Sequence, residues 1–343
     1  MKFQESGSSF KSQLIPSKIA KDYTISRIYE KMKRRLKIFT DNKPKSLFLH
    51  KRGGGDLIDL EGQIPMIIAL FPNEKKAPSF DLGIEIRKFL ENHGVTVVAE
   101  DEKAERIGAK PLSTVDPKKI RFMIAMGGDG TLLRITHNFQ HIDAPILGIN
   151  LGHLGFMADV PITDIYPSLT DLLNGHFTTD QRIALQANVG AENLYAVNDI
   201  VIHRAQNYSL IELAIHVDGI YINTFVADGI IIATPNGSTA YSLAAGGPIL
   251  SPSLNAVVIT PICPHTISNR PIVLTADHKI EIQYLSPYDP IDVRADGLNA
   301  TALTTSNSVT IQRSEKSFKL VNLHRHEYFS TLRSKLGWSG KLK

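Results

Sequence analysis

The chain has 343 residues, 43% of them hydrophobic and 21% charged. That is enough for two domains with a sizeable core, and too apolar for a wholly disordered protein. One cysteine, Cys263, excludes a disulfide framework and a cysteine-built zinc site and fits a reducing, cytoplasmic setting. The net charge of +4 is uneven: residues 1–52 carry 14 Lys and Arg against 4 Asp and Glu, and the remainder stands at −6, so nothing in the body points to nucleic acid.

In chain order, residues 1–64 form a basic N-terminal extension. Its start, MKFQESGSSF, lacks the apolar core of a secretory signal, and no stretch of the chain reaches transmembrane length. Within it Ile25, Ile28, Tyr29, Met32, Leu36 and Phe39 recur at helical spacing among Lys and Arg, which predicts a basic amphipathic helix over residues 21–39. Such a helix docks on its own body or a subunit, touches an anionic membrane surface peripherally, binds an acidic partner, or serves as a presequence; docking is the simplest reading. KRGGGD ends the extension as a hinge.

From residue 65 to about 180, strands alternate with helices. PMIIALF, VTVVAE and RFMIAM read as strands, FDLGIEIRKFLENHG and TLLRITHNF as helices, and APILGINLGHLGF as a strand running into a glycine-rich loop. This predicts an α/β domain with a Rossmann-like parallel sheet. Residues 181–320 change character: LYAVNDIVIHR, LIELAIHVDGIYINTFV, GIIIAT, AVVITPI and SFKLVNL are β-branched and partly alternating, so the second domain is mostly β. Asp218-Gly219 marks a hairpin turn. The tail from residue 321, HEYFSTLRSKLGWSGKLK, is helical again and is expected to pack on the first domain. Cys263 reads as a small buried hydrophobe.

The chemistry concentrates in a few stretches. In GGDGT, Gly127, Gly128 and Gly130 let a ligand approach the backbone, and Thr131 and the helix start offer donors to phosphate. Asp129 has two readings: a helix N-cap, or a general base for a substrate hydroxyl. The chain has no GxxxxGK[ST] and no GxGxxG. In ATPNGSTAYSLAAGGPIL, Ser238, Thr239 and Ser242 bring hydroxyls, Ala240, Ala244 and Ala245 leave room for a flat ligand, and Tyr241 either stacks on a base or packs in the core. Asn198-Asp199 and Asp228-Gly229 are polar interruptions of apolar strands, and buried polar groups need partners. HRHE near the C-terminus does not have the spacing of a metal site.

GGDGT, NDIVIHR, VADGIIIATPNGSTAYSLAAGGPIL and PICPHTISNRPIVL, in this order, resemble the NAD kinase family over roughly residues 65–343; INLGHLGF and SKLGWSGKL do so too. GGDGT alone is shared with phosphofructokinases and lipid kinases, which leaves a membrane-acting lipid kinase, or a nucleotide sensor without activity, as the competing readings. The resemblance implies ATP-dependent phosphorylation of the 2′-hydroxyl of the adenosine ribose of NAD, with Mg²⁺ accompanying ATP, and a homodimer or homotetramer with part of each site from a neighbouring subunit. It implies an α/β domain and a β-sandwich-like domain with the site between them. Asp129 then matches the general base, and Gly130 and Arg134 its neighbours at NAD. Asn198, Asp199 and Asp228 match NAD-holding residues, and Thr239, Ala240, Tyr241, Ser242, Leu243 and Ala244 the lining of the adenosine and nicotinamide pockets. The sequence departs from the family pattern at Asp199, where Glu is usual, at Val226, where Arg is common in bacterial relatives, and at RADGLN, which lacks a Gln two residues after its Asp.

Overall fold

PMIIALF is an unbroken apolar run, and the strand it forms, Ile67–Pro72, is buried at every position. Such a run belongs inside a sheet covered on both faces. In this computed structural model, which describes residues 66–76, 78–152, 155–158, 160–266, 268–287, 290–325 and 327–338, that is where it lies. The expected helix over residues 21–39 lies outside the described residues. The sheet runs Lys110–Pro111, Thr96–Ala99, Ile67–Pro72, Ile120–Gly127, Ile146–Asn150, Phe318–Asn322, Thr178–Arg182, with Val160–Pro161 beside Ile146–Asn150. Every pair is parallel except the last, Phe318–Asn322 with Thr178–Arg182.

Chain order reverses between Ile67–Pro72 and Ile120–Gly127. The strands that follow the first lie on one side, and those that follow the second lie on the other. At such a switch point the loops beyond the strand ends part and leave a crevice. GGDG leaves Ile120–Gly127 there, and the helix Asp129–Asn138 follows at once.

Two antiparallel six-stranded sheets make the β region. One runs Ile272–Thr275, Ala256–Ile262, Gly229–Ala233, Asp199–His203, Ile291–Ala295, Asn299–Leu303; the other runs Ile220–Ala227, Ile211–Val217, Ile280–Tyr284, Ser308–Arg313, Leu185–Val189, Glu192–Ala196. Side chains of both, among them Ile200, Ile230, Val293, Leu213, Ile282 and Ile311, meet in one buried core, so the pair is a sandwich. Gly229–Ala233 is apolar throughout because its other face is covered too: Ile231 and Ala233 pack with Val201, Val258 and Leu250. Asp218 (φ +50°) and Gly219 (φ +80°) form the two-residue turn between Ile211–Val217 and Ile220–Ala227, with both residues left-handed as a type I′ turn demands.

Two expectations are corrected. SFKLVNL reads in sequence as part of the β region, yet Phe318–Asn322 lies in the parallel sheet beside Ile146–Asn150. Cys263 is exposed, not buried: its strand ends at Ile262, and the cysteine turns outward with φ +45°. The tail forms the helix Tyr328–Leu336, and its Tyr328 ring lies 6.0 Å from that of Phe156 in the first domain. Among the described residues no helix is long and apolar enough to cross a membrane.

Candidate active site

The residue before the helix Asp129–Asn138 is Gly128, extended at φ −115° and ψ −171°, with no side-chain cap. Asp129 is thus the first helical residue and not its cap, which removes the capping reading. Its carboxylate is turned to the glycine-rich loop that follows Ile146–Asn150. Oδ2 accepts from the N–H of Phe156 (2.8 Å), and Oδ1 from those of Met157 (3.0 Å) and Ala158 (2.9 Å). Asn150 secures the loop at both ends, accepting from Gly152 N–H at 2.7 Å and donating to the Ala158 carbonyl at 3.1 Å. Gly155 is required here by space: a Cβ on it falls 2.0 Å from Asp129 Oδ1. Gly155 to Ala158 were not singled out from sequence; the signal was the run INLGHLGF.

The glycines of GGDG serve two different ends. A Cβ on Gly127 meets Thr131 Oγ1 at 2.1 Å, so Gly127 is fixed by packing. Gly128 and Gly130 have nothing within 4 Å in that direction and leave the backbone open to a ligand. Thr131 is buried, and its hydroxyl accepts from Asn73 Nδ2 at 2.9 Å, which ties the two loops at the switch point and leaves its O–H as a donor. Arg134, one turn on, has Nη1 3.4 Å from Glu100 Oε1 and is partly exposed.

Asn198 and Asp199 open the strand Asp199–His203. The amide oxygen of Asn198 is buried with no hydrogen-bond partner among the described residues, as expected of a group that meets a ligand. The small-residue loop packs directly on this pair. Thr234 N–H donates to the Asn198 carbonyl at 2.8 Å, and a Cβ on Gly237 would fall 2.1 Å from that oxygen. Asn236 bridges onward, accepting from Arg182 at 2.7 Å and contacting Met157 Sδ at 3.4 Å. The GGDG carboxylate, the Phe156 loop, Asn198-Asp199 and the small-residue loop are therefore contiguous.

Within the loop, Gly237–Thr239 is a single 3₁₀ turn and Tyr241–Ala244 one helical turn. Ala240, Tyr241 and Ala244 are exposed, so Tyr241 is not a core residue; Thr239 and Leu243 are half-buried. The Ser242 hydroxyl is fully buried and pairs with Thr260 at 2.9 Å, so its side chain faces inward. Ser238 is likewise internal, donating to Pro235 O and accepting from Leu250 N–H.

Asp228 is placed apart from the rest of the site within one chain. Asp199 pairs with Ala233 and His203 with Gly229, so Asp228 lies beyond the opposite end of the strand from Asn198. At about 3.4 Å per residue over six residues that is roughly 20 Å away. Its Oδ1 lies 2.7 Å from Arg204 Nε, a charge contact in which the N–H is not aligned on the oxygen.

Asp199 is 5% exposed. Burial, and then the nearby Asp296 carboxylate, push its pKa up to about 7. A raised carboxyl pKa stabilises the fold when protonated. The contribution is full below the unfolded pKa near 4 and is lost as pH rises through about 7. Asp199→Asn cannot ionise, so relative to wild type it gains stability between pH 5 and pH 8, on the order of 3 kcal/mol. Urea denaturation at the two pH values reads this; an equal difference at both contradicts the assignment.

Residues 68–177 match the model of the ATP-NAD kinase N-terminal domain, and residues 197–323 that of the ATP-NAD kinase C-terminal domain. The NAD kinase of Protochlamydia amoebophila is 54% identical over 278 residues, covering 81% of this chain and 100% of that protein. That of Nitrosomonas europaea is 39% identical, covering 76% and 90%. The crystal structure of an Archaeoglobus fulgidus NAD kinase in complex with ATP superposes with a TM-score of 0.62 at 25% identity, covering 80% of this chain and 100% of that one. Yeast NADH kinase, complexed with NADH, shares the fold at a TM-score of 0.70 and 24% identity, covering 82% and 90%. With both domain models matched in order across one continuous site, this chain belongs to the NAD kinase family.

Proposed function

We infer that this chain transfers the γ-phosphoryl group of ATP to the 2′-hydroxyl of the adenosine ribose of NAD, giving NADP. The observation that carries this reading is the Asp129 carboxylate, held by three backbone N–H groups at the start of the helix that leaves the switch point. A ribose hydroxyl is a weak nucleophile at neutral pH. A carboxylate in hydrogen-bond reach orients it and takes its proton as the O–P bond forms. The open backbone at Gly128 and Gly130 and the N-terminus of the helix face the donor phosphates. The Asn198 amide and the Asp199 carboxyl hold NAD from the β domain, with the adenosine over Ala240, Tyr241 and Ala244. Arg134 lends positive charge near the NAD phosphates.

Bound with ATP, Mg²⁺ would supply positive charge to the transferring phosphoryl group. Among the described residues no three His, Cys, Asp or Glu side chains converge to hold an ion, and a cation carried on a triphosphate needs few protein ligands. The distance of Asp228 from Asn198 in one chain supports a homodimer or homotetramer in which Asp228 serves a neighbour's site. The protein works in the cytoplasm, where its unpaired Cys263 stays reduced. Incubation with NAD, ATP and Mg²⁺, read with an NADP-specific dehydrogenase, tests the activity. NADP is expected to accumulate, and none above a boiled control overturns the reading.

A further inference from the structure

Eight residues after Asp129, on the same helix and about 12 Å along it, stands His137. Its side chain is 3% exposed, and its Nε2 lies 2.7 Å from Oδ2 of Asp296, which is 0% exposed. Asp296 sits in a left-handed turn at φ +51° and gathers three more donors. Its oxygens accept from the N–H groups of Val197 (2.8 Å), Asn198 (2.7 Å) and Asp199 (3.1 Å). On the other edge of the ring, Asn299 Nδ2 lies 3.1 Å from His137 Nδ1. Donation from that amide leaves the ring proton on Nε2, pointed at Asp296. One buried carboxylate thus fastens the segment that carries Asn198 and Asp199 to the helix that begins at Asp129.

We propose that Asp296 and His137 are positioning residues which set the alignment between the Asp129 carboxylate and the Asn198-Asp199 pair; the proposal rests on the kinase reading above. Neither side chain touches substrate. Leu132 and Ile135 of the helix share a core cluster with Val197, an apolar contact that is non-directional and sets register less sharply than hydrogen bonds. A carboxylate whose two oxygens meet two donors each has one register. A ten-residue helix is stiff, so a tilt at His137 reaches Asp129, and a displacement of about 1 Å at a reacting group costs about 100-fold in rate.

The two positions fail differently. His137→Leu frees the helix but leaves Asp296 clamping residues 197–199. Its kcat is expected to fall about 10–100-fold, with KM for NAD and for ATP within about threefold of wild type. Gln at this position puts an amide nitrogen where Nε2 stands, so His137→Gln is expected to restore kcat to within about threefold. Asp296→Asn leaves one oxygen for the backbone donors; it is expected to raise KM for NAD about tenfold as well as lower kcat. It also speeds amide hydrogen exchange at residues 197–199 in the nucleotide-free protein.

Kinetics are measured well below each variant's melting temperature, beside wild type. A His137→Leu protein with kcat within twofold of wild type overturns the positioning role. So does a loss that merely tracks unfolded protein and is not rescued by Gln, and so does unchanged exchange at residues 197–199 in Asp296→Asn. Wild type that forms no NADP overturns the kinase reading itself, a result distinct from each of these.

Discussion

Asp129→Asn is expected to lower kcat for NADP formation by about 10²–10⁴-fold, the range for losing a general base. It is also expected to destabilise the fold. Asn would be a harmless replacement if Asp129 were a helix cap, because the two residues cap equally well. The carboxylate instead accepts three backbone N–H groups on its two oxygens. An amide has one oxygen, so its NH₂ meets at least one N–H donor head-on. Losing that bond and burying its donor costs about 1–3 kcal/mol. Urea denaturation alongside steady-state kinetics separates the two effects. A variant as stable as wild type contradicts the three-donor geometry; one that keeps its turnover contradicts the base.

Gly155→Ala carries the second large effect, through a residue that takes no part in the chemistry. Its Cβ would stand 2.0 Å from Asp129 Oδ1 and 2.7 Å from Cγ, and neither is the free end of a flexible side chain. Relief requires the carboxylate to rotate away or the loop to lift, and either breaks some of the three hydrogen bonds. The expected result is a fall in kcat of about 100-fold or more, with ATP affinity retained. Isothermal titration with ATP beside turnover measurements checks it. Activity within threefold of wild type means that the Phe156 loop does not hold Asp129 in the working enzyme.

The α/β order, the GGDG turn and the I′ hairpin at Asp218-Gly219 were legible because each has a local signature: apolar runs with helical spacing between them, or a residue pair that accepts positive φ. Strand partnership had none. Phe318–Asn322 alternates like the strands before it, and periodicity does not say which sheet a strand joins. Side-chain direction was equally hidden. Ser242 and Ser238 looked like ligand hydroxyls because small polar residues line both pockets and tight turns; only burial and the Thr260 and Pro235 contacts separate them. Asp228 shared the polar interruption of Asn198-Asp199, and only the antiparallel register shows that the two lie at opposite ends of a strand. The Phe156 loop acts through backbone N–H groups, which any residue supplies, so residue identity gave little warning of it; the Asp296 carboxylate showed in sequence only as part of RADGLN, with no sign of its partners.

Within the site, the claim that matters most is that the group facing Asp129 is the 2′-hydroxyl of the adenosine ribose. It is tested most directly with ATP labelled at the γ-phosphate, offered either NAD or its analogue lacking that hydroxyl. Label is expected to pass to NAD, and the analogue to bind without receiving any. Label on the 2′-deoxy analogue, or none on NAD, would contradict that claim.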